Sequence, residues 1–70
     1  MNLYKVNQNS EIIIARVPKI ALLKSLGICF GTRVKLLNRF PLGGAVVLRV
    51  EDAYTVALGK AVAELIEVEG

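Results

Sequence analysis

The side chains able to do chemistry in this 70-residue chain are few, and their types exclude more than they offer. There is no histidine, and Cys29 is the single cysteine. The soft ligands that hold zinc or iron are therefore nearly missing, and neither a Ser/His/Asp set nor a Cys/His pair can be assembled. Cys29 lies beside Phe30 between Gly27 and Gly31, where a free cysteine reads as a small buried apolar filler. Glu51, Asp52, Glu64, Glu67 and Glu69 could hold a hard cation weakly. Their spacing follows a turn and alternating strand positions, so they read as solvent-facing. No phosphate-binding Gly-Lys-Ser/Thr loop exists. The expectation is a protein that is not an enzyme, carries no cofactor and binds ferrous iron at best weakly, through carboxylates.

What remains is charge and exposed apolar surface. Net charge is +3, with eight basic residues and one acidic up to Arg49, against one basic and five acidic from Val50 onward. If distant positions fold together, these charges mix into solvated faces. If they stay apart, Arg33, Lys35, Arg39 and Arg49 form a basic patch for an acidic partner or nucleic acid. The aromatics Tyr4, Phe30, Phe40 and Tyr54 are not interleaved with that strand, which counts against base stacking. Phe40, Pro41 and Leu42 leave a strand at a turn, where little core is left to fill: either they form an apolar tip with Arg39 and its basic neighbours as a rim, or Phe40 folds back to close the end of the barrel.

The elements that must position these residues can be read in order. Leu3 and Tyr4 can pack over the bottom of the fold, and Ile12, Ile13 and Ile14 suit a first buried strand. Pro18 ends it and can open a helix. Residues 19–26 place Ile20, Leu22, Leu23 and Leu26 on one side and Lys19, Lys24 and Ser25 on the other. Gly27 then closes the helix in a left-handed turn. From Arg33, Val34 and Leu36 face one way while Arg33, Lys35, Leu37 and Arg39 face the other. Gly43-Gly44 makes a hairpin turn, and Val46, Leu48 and Val50 repeat the alternation. Glu51-Asp52 turns the chain into Tyr54-Thr55-Val56-Ala57-Leu58. Residues 59–63 are long enough for one helical turn, and residues 65–68 close the sheet. The predicted core is Val34, Leu36, Val46, Leu48, Val56, Leu58 and Ile66. Five short strands in so small a body favour a closed or nearly closed barrel, mainly β with one short α-helix, over residues 1–70 as one domain. No apolar run is long enough to span a bilayer, and neither a secretory signal nor a disulfide pair is visible, which reads as cytoplasmic.

The runs SLGICFGTRVKLL, PLGGAVVLRV and TVALGKAVAELIEV together resemble the FeoA family of ferrous iron transport accessory proteins. The resemblance covers about residues 11 to 69, with departures at Ala45, Leu22 and Asn9-Ser10. It implies an SH3-like barrel that engages the FeoB-type, G-protein-bearing membrane transporter from the cytoplasmic side. Leu26, Gly27, Gly31, Pro41, Gly43 and Gly44 stand at the family's motif positions. The partner-binding candidates are therefore Leu26, Gly27, Arg39, Phe40, Pro41, Leu42, Gly43 and Gly44. The rival readings are a nucleic-acid-binding or regulator-associated SH3-like barrel, and a weak homo-oligomer.

Overall fold

A computed structural model describes residues 1–69 of the chain. A short 3-10 turn at Leu3–Lys5 precedes β1 (Glu11–Arg16), α1 (Ala21–Ser25), β2 (Arg33–Arg39), β3 (Val46–Val50), β4 (Tyr54–Leu58), α2 (Lys60–Ala63) and β5 (Glu67–Glu69). The strands form one antiparallel sheet in the order β4-β3-β2-β1-β5. Among the described residues no pairing joins β4 to β5, so the five expected strands make an open sheet rather than a sealed barrel.

The alternation read from the sequence places the core. Val34, Leu36, Val46, Leu48, Leu58 and Ile66 are buried, joined by Leu3, Ile14, Leu23 and Ile28 from outside the central hairpins. Each such aliphatic side chain contributes about 1.5–3 kcal/mol by leaving water. Val56 is only half-buried, against expectation, because β4 is an end strand with no neighbour on its outer side.

The helices depart from the expected outline. α1 begins at Ala21 rather than Lys19, with Ile20 in extended geometry at its N-cap. Pro18 accordingly lies in the connection, where its carbonyl accepts from the Ile20 N–H, and does not open the helix. Leu22 is exposed rather than part of the buried side, because five residues present only one turn and Leu23 takes the inward position. The single turn expected over residues 59–63 does form, as α2, and its Ala63 is fully buried. The closing strand starts at Glu67, while Leu65 is exposed.

One irregularity matters for everything that follows. Between Leu36 and Asn38 strand β2 advances two residues while β3 advances one, from Leu48 to Val47. Leu37 is thus the inserted residue of a β-bulge, which turns the end of the strand over. Arg39 now pairs with the buried Val46. It therefore lies on the core face, the face opposite to Lys35.

Candidate functional site

The loop between β2 and β3 is the candidate that the sequence singled out most sharply. Phe40 donates its N–H to the Ala45 carbonyl at 3.0 Å, and Gly44 donates to the Pro41 carbonyl at 3.3 Å. The turn between them needs two left-handed residues, Leu42 at φ 60° and Gly43 at φ 78°. Gly44 is required for a different reason. A Cβ there would sit 2.7 Å from the Phe40 Cβ, so the ring's stem rests directly on the loop backbone. Leu42 is as exposed as a free side chain, at 103%, and Phe40 is 48% exposed. Pro41 is exposed too. The expected apolar tip is present.

Its expected rim is not. The bulge sends Arg39 to the core side, where its guanidinium donates to the Val6 carbonyl and stands 5.5 Å from the centroid of the Tyr4 ring. Lys60 approaches the same ring at 5.4 Å. Its stem would lie 3.8 Å from a Cβ at Gly43, so it runs alongside the tip loop. Arg39 Nε is buried with no hydrogen-bond partner. Two cations thus flank one aromatic at the base of the tip, a favourable arrangement for each with the ring. Among the described residues neither is in a salt bridge; the one ion pair joins the N-terminal ammonium to Glu67 at 3.9 Å. Lys60 and Tyr4 were not foreseen as neighbours of the tip, since nothing in a linear reading brings residues 4, 39 and 60 together.

The other basic residues stay on the outer face. Lys35 pairs directly with Arg49 across β2 and β3, and with Glu11 across β1 and β2. The Arg33 N–H is held by the Glu51 carboxylate at 2.7 Å, and the Arg49 guanidinium donates to the Asp52 carbonyl at 3.2 Å. Arg33, Lys35 and Arg49 therefore share a face without Arg39, and carboxylates are mixed among them. They lie toward the Glu51-Asp52 turn, away from Phe40.

Leu26 and Gly27 form a separate corner. Gly27 has φ 78°, as a helix-closing glycine requires, and its N–H bonds the Lys24 carbonyl at 3.0 Å. Tyr54, at the start of β4, donates its hydroxyl to the Leu26 carbonyl at 2.6 Å. A Cβ on Gly27 would collide with that hydroxyl. Thr32, buried and not foreseen, donates to the Gly27 carbonyl at 2.9 Å and accepts from the Cys29 N–H at 3.2 Å. Tyr54 pairs with Val50, whereas the tip adjoins Val46 and its partner Leu58. The eight candidates thus split between opposite ends of the β3–β4 ladder, separated by about 14 Å of strand at ~3.4 Å per residue.

Cys29 is exposed, contrary to the expected buried filler. The reason is local: Ile28 takes the inward position, fully buried, and the Cys29 thiol turns back to the Thr32 hydroxyl at 3.2 Å. Among the described residues no three His, Cys, Asp or Glu side chains gather as a metal site, and no helix is long and apolar enough to cross a membrane.

Five antiparallel strands with short helical connections and an exposed hairpin tip define a small module of the SH3-like class. A solved structure of FeoA from Stenotrophomonas maltophilia complexed with zinc, described as a prokaryotic SH3 domain protein, superposes with a TM-score of 0.82 at 19% identity, covering 99% of this chain and 89% of that one. The FeoA domain model matches residues 1–70, and the chain belongs to the FeoA family.

Iron(II) transport protein A from Clostridium thermocellum is 27% identical with a TM-score of 0.87, covering 99% of this chain and 44% of that one. A manganese-dependent transcriptional repressor is similar at 24% identity and a TM-score of 0.83, over 94% of this chain. The present chain spans 39% of that repressor's length. Among curated proteins none matches the chain.

Proposed function

We propose that this chain is a non-catalytic accessory of ferrous iron transport that contacts a FeoB-type membrane transporter on its cytoplasmic side through the Phe40–Gly44 loop. Family membership supports the iron-transport class. The observation that carries the contact is the fully exposed Leu42 beside half-exposed Phe40, at the end of a hairpin whose own hydrogen bonds hold it out from the core. Apolar side chains kept in water by a built turn suit contact with a partner's apolar pocket. Lys60, running beside the loop, favours a partner with carboxylates around that pocket.

Ferrous iron is the cargo of the transporter in this reading and not a ligand of the module. The only thiol faces a threonine hydroxyl rather than a base, which suits a module without a nucleophile. The test is a titration of the transporter's cytoplasmic G-protein portion against the wild-type chain and the Phe40→Ala/Leu42→Ser variant. Loss of binding at unchanged stability supports the reading.

Similarity to the repressor favours a second reading, a module associated with a metal-responsive regulator. It predicts tight, steeply salt-dependent binding to nucleic acid or to a regulator. Titration with duplex DNA at two salt concentrations separates the two.

A further inference from the structure

A second surface lies away from both the tip and the outer basic face. The connection from β1 into α1 and the loop after Gly27 enclose an open groove of about 480 Å³. This is within the range of roughly 300–1,000 Å³ typical of sites that bury a ligand. Val17, Pro18, Ile20, Leu23 and Ile28 supply its apolar walls, and Lys19 and Lys24 are its only charged lining residues. Both lysines are exposed, and among the described residues neither has an ion-pair partner. From Ile12 to Val50 the sequence contains no acidic residue, so no carboxylate is near them along the chain.

The lining decides what fits. The walls are aliphatic and offer no aromatic face on which a nucleobase could stack. They also lack the buried polar groups that orient a small-molecule ligand. Orientation must then come from the two free cations at the rim. We propose that the groove docks a protein segment presenting one or two large apolar side chains flanked by carboxylates. The apolar side chains leave water against Val17, Ile20 and Ile28, and the carboxylates meet Lys19 and Lys24. None of the groove's lining residues belongs to the Phe40–Gly44 loop, so the two surfaces can be tested apart.

The test uses the full chain, isotope-labelled for amide NMR, and three pools of capped hexapeptides. The two central positions are drawn from Leu, Ile, Met and Phe, and the flanking positions are all Glu, all Gln or all Lys. The acidic pool is expected to shift the amides of residues 17–29 saturably, at least tenfold more tightly than the Gln pool, while those of residues 40–44 stay in place. Lys19→Glu/Lys24→Glu should abolish that preference and transfer it to the Lys pool. Ala21→Trp, which fills the groove from an exposed helix position, should block binding with the folded spectrum retained. Equal affinity for the acidic and Gln pools, shifts confined to residues 40–44, no saturable shift with any pool, or broadening with protein concentration alone would each overturn the proposal, the last pointing to a second copy as the occupant.

Discussion

The Gly27 corner and the Phe40–Gly44 tip look alike as sequence, each an apolar residue or two followed by glycine in a left-handed turn, yet they do opposite work. At the corner the carbonyls of Leu26 and Gly27 are both claimed by side chains. Tyr54 reaches from β4 to the Leu26 carbonyl, Thr32 holds the Gly27 carbonyl, and Ile28 plunges into the core beside them. At the tip two backbone hydrogen bonds shape the loop, and the side chains of Pro41 and Leu42 are left exposed. A glycine closing a turn therefore says nothing about whether the turn supports the fold. What the turn's neighbours do decides that. The corner joins α1 to β4 and belongs to the fold; the tip is free to belong to a partner.

The comparison can be broken by substitution. The reference for a full loss of packing is Leu36→Ala in the buried row, expected to cost about 2–5 kcal/mol in chemical denaturation. Next is Arg39→Glu. The bulge places this side chain against the Val6 carbonyl and the Tyr4 ring, so a carboxylate there should destabilise the domain by about 1.5–3 kcal/mol, the range for losing a charge-assisted hydrogen bond. Were Arg39 merely a rim charge, that variant would leave the denaturation midpoint unchanged.

Gly27→Val should cost about 1 kcal/mol or more, because it combines a left-handed β-branched residue with a collision at Tyr54. Tyr54→Phe, which removes only the hydroxyl, should cost about 1 kcal/mol. The same left-handed strain exists at Leu42 without the neighbours. Leu42→Asn should therefore be neutral or stabilising by less than about 1 kcal/mol. A large destabilisation at Leu42 would show that the tip, too, is part of the fold.

The contrast between corner and tip was partly legible in the chain. Val34, Leu36, Val46, Leu48 and Val50 alternate cleanly, and the two central strands and their buried row follow from that alone. The positive φ at Gly27 and the exposed tip followed from glycine placement and from apolar residues stranded at a turn. Arg39 was misplaced because the bulge at Leu37 reverses the strand's faces, and a strict two-residue period carries straight through it. A trace was there: Leu36-Leu37 puts two apolar residues in succession where alternation demands one. Cys29 was misplaced because its exposure depends on whether it or Ile28 turns inward, a choice set by Thr32 and the core rather than by residue type. The nearness of Tyr4 and Lys60 to the tip, and of Tyr54 to Gly27, are contacts over long sequence separations that no local pattern encodes.

The central claim is that the tip contacts the transporter while the fold stands without it. The direct measurement is calorimetric titration of the FeoB-type G-protein portion into the wild-type chain and into Phe40→Ala/Leu42→Ser, with thermal melts of both. The account predicts binding weakened at least about tenfold, equivalent to roughly 1.4 kcal/mol, with the melting temperature held within about 4 °C. Unchanged affinity in a folded variant would contradict it.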